Sequence, residues 1–68
     1  MKYNESNWNY CLESLGFTEQ MNRQFGGMVV FNDDGVPTWT YETEEEKVML
    51  FMFFRGMAYW KIHTMFKN

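Results

Sequence analysis

The run of apolar residues from Val48 to Phe54 constrains the fold of this chain more than any other stretch. Seven consecutive apolar side chains on a helix point in every direction, because 3.6 residues make one turn. Two sides of such a helix can pack on other elements, but a domain of 68 residues has little left to cover the third. The run therefore predicts surplus apolar surface at Met49 and Phe53, and at Met57 or Trp60 beyond them. The alternative is a fold that encloses the helix completely.

The residues before this run carry the signals of a helix N-terminus. Thr43 and Glu46 have the spacing of a capping box, and the two glutamates between them place negative charge in the first turn, where the helix dipole favours it. Gly56 has the position of a left-handed cap at the C-terminus. We therefore predict a helix from Glu44 to Arg55.

The pattern changes after Gly56. From Tyr59 to Phe66, strand-forming residues alternate with the period of two that is typical of a half-buried strand. The alternative is a helix that continues through Gly56 to Phe66. That helix would contain an internal glycine, at a cost of about 1 kcal/mol relative to alanine. The strand is the favoured interpretation because it avoids this cost.

The rest of the chain predicts one further helix and a hairpin. The spacing of Trp8, Cys11, Leu12 and Leu15 indicates a buried face on a helix from Glu5 to Leu15. Turn-forming residues from Asn32 to Gly35 predict a β-hairpin between Met28 and Glu42. Thr18 to Phe25 stays open between a short helix and an irregular segment. The prediction is a single α+β domain spanning residues 1–68, in which the hairpin and the C-terminal strand form a three-stranded sheet packed by two helices.

The size of the chain limits how it can be stabilised. Cys11 is the only cysteine, so an intrachain disulfide is impossible, which suits a reducing compartment. Dense aromatic packing or self-association must provide the stability instead. No targeting segment is visible, and the longest apolar run is too short to span a bilayer. The sequence therefore predicts a cytoplasmic protein without a membrane segment.

The charge distribution disfavours nucleic-acid binding. The net charge is −3, and six of the nine acids lie between Asp33 and Glu46, whereas the bases are scattered. Binding to a phosphate backbone needs clustered Lys and Arg. Aromatic residues near Lys61 could stack on single-stranded nucleic acid, which is the third-ranked hypothesis. The acidic cluster either addresses a basic partner or only keeps the helix start solvated.

Catalytic chemistry is not indicated. Nothing in the sequence places Cys11 beside His63, and the glutamates from Glu42 to Glu46 lie on a predicted solvated helix start, where they would keep ordinary acidity. The spacing of His, Cys and carboxylates does not match a metal site. We therefore predict a non-enzymatic protein with no metal and no cofactor.

In size, acidity and aromatic content the chain resembles the accessory inhibitors that phages and mobile elements encode against host enzymes or defence systems. The resemblance is one of general type and depends on no sequence motif. It implies a small protein-binding module that blocks a partner by occluding its surface. The alternative is a self-assembling structural or regulatory subunit, such as a homodimer. The predicted partner-binding residues are Met49, Phe53, Met57, Trp60, Asp33, Asp34, Glu44 and Glu45.

Overall fold

The computed structural model describes residues 1–24 and 26–65, with side chains as far as residue 61. Within these residues the chain forms two helices and a three-stranded antiparallel sheet of order β1-β2-β3. The α+β class is confirmed. The elements in chain order are α1 (Glu5–Leu15), β1 (Thr18–Asn22), β2 (Gly27–Phe31), β3 (Pro37–Tyr41) and α2 (Glu44–Met65).

Helix α1 has the predicted bounds, and both of its ends are capped. The Asn4 side chain accepts a hydrogen bond from the Asn7 amide at 2.7 Å, which satisfies one of the amides left open at a helix start. At the other end Gly16 adopts φ 76°, and the Phe17 amide donates to the Leu12 carbonyl at 2.8 Å. This is a Schellman ending, and it turns the chain directly into β1.

Strand β1 is the element that the sequence did not reveal. It pairs antiparallel with β2, from Thr18 opposite Phe31 to Asn22 opposite Gly27. A helix or an irregular segment here is therefore wrong over the five residues of β1, while Phe25 lies outside the described residues. The side chains of β1 are mostly polar, and its conformation comes from backbone pairing with β2 rather than from its own apolar pattern.

The predicted hairpin is confirmed as β2 and β3, which pair from Met28 opposite Tyr41 to Phe31 opposite Pro37. The Asn32 side chain closes the turn, because its oxygen accepts hydrogen bonds from the amides of Asp34 and Val36, both at 2.9 Å. Pro37 begins an edge strand, where a missing amide hydrogen is tolerated.

The capping box at the start of α2 is confirmed. The Thr43 amide donates to a Glu46 carboxylate oxygen at 3.0 Å, and the Glu46 amide donates to the Thr43 hydroxyl at 3.2 Å. Backbone amides of Glu42 and Thr43, together with the Thr43 hydroxyl, stabilise the charged carboxylate and lower the pKa of Glu46.

Helix α2 continues to Met65, so the predicted end at Gly56 and the predicted strand from Tyr59 to Phe66 are wrong. The alternative, a long C-terminal helix, is correct as far as Met65, while Phe66 lies outside the described residues. The sheet still has three strands because β1 takes the place assigned to the C-terminal segment.

Tertiary contacts explain why α2 passes through Gly56. Phe54 before it and Ala58 after it are both buried, and they lie four residues apart on the side of α2 that packs on α1. Ending the helix at Gly56 would withdraw Ala58 from the core. Burial of this face outweighs the helix-propensity cost of about 1 kcal/mol at the glycine.

Gly56→Ala is therefore expected to stabilise the protein by about 0.5–1 kcal/mol. A Cβ at position 56 would meet nothing within 4 Å, so the substitution gains helix propensity without a clash. Thermal unfolding of dilute protein should show a higher Tm. The control is Gly16→Ala, which should lower the Tm because Gly16 has a positive φ and its Cβ would approach Asp33 to 3.3 Å. A lower Tm for Gly56→Ala would contradict a continuous helix.

An aromatic core provides the stability that a disulfide would otherwise supply. The Phe54 ring is fully buried and has three aromatic neighbours outside α2, with centroid distances of 5.7 Å to Trp8, 5.2 Å to Phe17 and 4.9 Å to Trp39. The core thus joins α1, the sheet and α2 around one side chain. Cys11 is fully buried, and burial raises the pKa of its thiol, which disfavours the reactive thiolate.

Candidate interaction surface

Helix α2 has two faces with the same residue spacing, and only one of them is buried. The buried face consists of Lys47, Phe51, Phe54 and Ala58, which are at most 9% exposed. The second set starts two residues later and consists of Met49, Phe53, Gly56 and Trp60. Because two residues correspond to roughly 200° around a helix, the second set lies on the opposite side of α2.

We call Met49, Met52, Phe53, Gly56 and Trp60 the outer face of α2. Met49 and Trp60 are each 70% exposed, and Met52 and Phe53 are 58% and 55% exposed. Scattered apolar side chains are common on protein surfaces, but four large ones on one side of one helix form a contiguous patch. Patches of this kind mark interaction sites.

The length of α2 contributes to this exposure. A helix of 22 residues is roughly 33 Å long, whereas the strands beside it have five residues each and span roughly 17 Å. The last turns of α2 therefore extend past the sheet. Tyr59, in these turns, is 65% exposed.

A groove runs beside the outer face, between α2 and the end of the sheet. Its volume is about 800 Å³, within the range of binding clefts. The Trp39 ring lies 6.4 Å from the Phe53 ring, centroid to centroid, so strand β3 and helix α2 both contribute side chains to the wall of the groove. We call this the α2 groove; it is lined by Leu15, Phe17, Asn32, Asp33, Trp39, Met52, Phe53, Gly56, Met57, Trp60 and Lys61.

The structure brings four of the predicted partner-binding residues to the α2 groove. Phe53 and Trp60 are exposed on its rim, Met57 is half-buried and packs against the core, and Asp33 contributes a carboxylate at one end. Met49 lies one helical turn before Phe53 on the same outer face.

The predicted acidic cluster is divided in the fold. Asp33 and Asp34 lie in the turn before β3, whereas Glu44 and Glu45 begin α2 after β3, so the length of a strand separates the two pairs. Glu44 also accepts a hydrogen bond from the Tyr3 hydroxyl at 2.8 Å, which makes it part of the contact between the N-terminal segment and α2.

Met52 and Tyr59 are exposed residues that sequence reasoning did not select. The signal was nevertheless available, since Met52 follows Met49 by three residues and Tyr59 follows Met52 by seven, which is the spacing of one helix face.

A half-buried glutamate on β1 holds two aromatic side chains in place. Glu19 of β1 accepts hydrogen bonds from the Trp8 indole nitrogen at 2.8 Å and from the Tyr41 hydroxyl. Burial, with the hydrogen bond to Glu19, raises the pKa of Tyr41. One carboxylate thus links α1, β1 and β3.

Lys47 of α2 belongs to the same cluster of side chains as Glu19, Trp8 and Tyr41. Its ammonium donates to both carboxylate oxygens of Glu5 at 2.8 Å and lies 5.4 Å and 5.8 Å from the ring centroids of Trp8 and Tyr41. Burial alone would lower the pKa of Lys47, but the hydrogen bond to Glu5 and nearby negative charge outweigh it and raise the pKa. The contacts of this cluster join elements of the fold, which indicates a structural role.

The raised pKa of Tyr41 makes an alkaline loss of stability the expected result. The folded protein retains the tyrosine proton to a higher pH than the unfolded chain, so the free energy of unfolding should fall as the pH rises above about 10. Lys47 acts in the same direction. Tyr41→Phe should reduce the slope of this loss in urea titrations between pH 8 and pH 11. Tyr10→Phe, at a half-exposed tyrosine, is the control and should keep the slope; equal slopes in both variants would contradict the assignment.

No protein-family model, curated protein or solved structure matches the chain. In the part of the chain that the structure describes, no helix is both long and apolar enough to cross a lipid bilayer. The described side chains, those of residues 1–24 and 26–61, also include no group of three or more His, Cys, Asp or Glu placed to hold a metal ion. The outer face and the α2 groove are therefore the features of the molecule that point to a function.

Proposed function

We propose that this protein is a small, non-enzymatic protein-binding module that acts through the outer face of α2. The observation that carries the proposal is the exposure of Met49, Phe53 and Trp60, at 55% to 70%, on one side of a helix whose other side is anchored in the core. Trp and Met are enriched at protein interfaces, and Met adapts to irregular partner surfaces.

The α2 groove gives this surface a shape as well as apolar character. A projecting side chain of a partner can enter between Trp39 and Trp60, while the flexible side chains of Met52 and Met57 adjust around it. Recognition of a helix or an extended segment in an apolar groove is a common mode of protein binding. Because α2 is held by the buried aromatic core, the surface is largely preformed, which lowers the entropy cost of binding.

Occlusion of a partner is the activity that follows most directly from such a surface. An inhibitor of this kind needs no catalytic group, since covering a partner's functional surface is sufficient. Asp33 lines the α2 groove and Asp34 is its neighbour in the same turn, so a partner with basic residues beside its apolar anchor would gain electrostatic steering. We place this activity in the cytoplasm, where the lone thiol of Cys11 would remain reduced.

Site-specific photocross-linking in the producing cell tests this proposal. A benzophenone amino acid is placed at Phe53 on the outer face, and at Tyr10 on α1 as the control, because the two positions are 55% and 51% exposed. A defined protein adduct, with another protein or with a second copy, is expected at position 53 and not at position 10. The adduct should be lost when Trp60→Glu is added. Equal or absent adducts at the two positions would contradict the proposal.

Self-assembly is the second candidate form of this function. It is favoured by one specific observation: the outer face has a symmetric pattern along α2, with large side chains at both ends and Gly56 near its middle.

A further inference from the structure

We propose that the partner of the outer face is a second copy of this chain, docked through its own outer face with the two α2 helices antiparallel. This inference rests on the proposed function, because it names the partner of the same surface. A symmetric dimer of this kind uses one patch twice, so the patch must be complementary to itself. The outer face meets that requirement in its shape, its charge and its area.

The shape is self-complementary about a single axis. Met49, Phe53, Gly56 and Trp60 follow one another at intervals of four, three and four residues, a pattern that reads the same in both directions. With a two-fold axis beside the midpoint of Phe53 and Gly56, each Phe53 ring lies over the partner's Gly56. Each Met49 then lies beside the partner's Trp60.

Gly56 is suited to receive a ring. A Cβ built at this position would have no heavy atom within 4 Å, so the bare helix backbone forms a shallow gap between Phe53 and Trp60. A large side chain packed into the gap left by a small one is the arrangement found in closely packed helix pairs. The internal glycine, which lowers helix propensity, has a function in this arrangement.

The charges require the antiparallel orientation. The first turn of α2 contains Glu44, Glu45 and Glu46, and Lys61 is an exposed base in its second half. About the same axis, the partner's Lys61 lies level with Val48, roughly 3–5 Å along the helix from Glu45 and Glu46. A parallel pair would instead bring two acidic first turns together, and it would align the helix dipoles unfavourably.

The area is sufficient for a dimer. A large aromatic side chain has about 150–250 Å² of surface. At their exposed fractions, the side chains of Met49, Met52, Phe53 and Trp60 together form an apolar patch on the order of 500 Å² per copy. Two copies would bury on the order of 1,000 Å² through these side chains, which reaches the lower limit of specific interfaces before flanking contacts are added.

The mass in solution tests the pairing. Light scattering and sedimentation at increasing concentration should give twice the chain mass of 8.3 kDa. Met49→Glu is expected to raise the dimer Kd roughly 30-fold or more, because each copy would place an unpaired carboxylate against the apolar surface of its partner. Met21→Glu is the matched control, because Met21 is also 70% exposed but lies on β1; it should leave the Kd unchanged. Equal effects of both substitutions would overturn the inference.

Gly56→Leu separates dimerisation from folding. Leucine has a higher helix propensity than glycine, and a Cβ at position 56 would meet no heavy atom within 4 Å, so the monomer should keep its circular dichroism spectrum and its Tm should not fall. The leucine side chain would fill the gap that receives the partner's Phe53, and the dimer Kd should rise by at least the factor expected for Met49→Glu. A folded Gly56→Leu variant with an unchanged Kd would overturn the inference.

Disulfide trapping tests the orientation. Met49 and Trp60 are 11 residues apart, roughly 16 Å along α2, whereas a disulfide joins Cα atoms no more than about 7 Å apart. In the antiparallel dimer, Met49→Cys mixed with Trp60→Cys should oxidise to a mixed disulfide, and neither variant alone should form its own. The unmodified protein is the control, because its Cys11 is fully buried. Efficient cross-linking of each variant with itself would show a parallel pair and overturn the antiparallel arrangement.

The outcomes also separate this inference from the proposed function. A protein that stays monomeric at high concentration but forms a Phe53 adduct with a different protein overturns the self-pairing and supports protein binding. A monomer without any adduct overturns both. A dimer that gives a self-adduct at position 53 and not at position 10 supports both.

Discussion

Phe54→Ala is expected to leave the chain unfolded or severely destabilised at 25 °C. Phe54 is fully buried at the centre of the aromatic core, and truncation of a buried phenylalanine lowers the free energy of unfolding by about 3–5 kcal/mol. A chain of 68 residues has roughly 3–10 kcal/mol of stability in total. Near-ultraviolet circular dichroism and urea titration should show lost or severely weakened tertiary structure.

The neighbouring Phe53→Ala is the control for this prediction. It removes the same atoms from a side chain that is 55% exposed, so the free energy of unfolding should change by no more than about 1 kcal/mol. Both substitutions are made in the Met49→Glu background, where dimerisation does not contribute to stability. Similar urea midpoints for the two variants would mean that the buried and outer faces of α2 are assigned the wrong way round.

The second large effect is expected at Glu19. Glu19→Ala removes the acceptor of two donors, the Trp8 indole nitrogen and the Tyr41 hydroxyl, whose side chains are 0% and 8% exposed. Each buried donor left without a partner costs about 1–3 kcal/mol, so the free energy of unfolding should fall by about 2–6 kcal/mol. Urea titration at pH 7 measures this loss.

Two further variants test whether the loss of stability in Glu19→Ala comes from the hydrogen bonds that Glu19 accepts. Glu19→Gln keeps one carbonyl oxygen, which can accept from one of the two donors, and should recover about half of the stability. Glu13→Ala, at an exposed glutamate of α1, should stay within about 0.5 kcal/mol of the unmodified protein. A loss at Glu13→Ala equal to that at Glu19→Ala would show that Glu19 has no special structural role.

Local signals in the sequence were sufficient for much of the fold. The capping box of Thr43 and Glu46, the left-handed glycine at Gly16 and the turn around Asn32 each depend on residues within four positions of one another. Such signals need no knowledge of the rest of the molecule. For the same reason α1 and the hairpin of β2 and β3 could be predicted.

The two elements that were mispredicted depend on distant contacts. Strand β1 is mostly polar and forms because β2 offers it a backbone to pair with. Helix α2 continues past Gly56 because Ala58 is buried in the hydrophobic core, and a local propensity cost of about 1 kcal/mol is too small to oppose that burial. Neither contact is visible within a short window of sequence.

For the candidate surface, the residue order of α2 is enough to show that the helix has more apolar residues than one of its sides can bury. Which side is buried depends on the packing of the whole domain, because the two faces repeat the same spacing two residues apart. The uncharged face with Met49, Phe53 and Trp60 is exposed, and the face with Lys47 is buried. Glu5 of α1 supplies the counter-ion that allows Lys47 to enter the core, so this choice belongs to the packing of α2 on α1 and not to α2 alone.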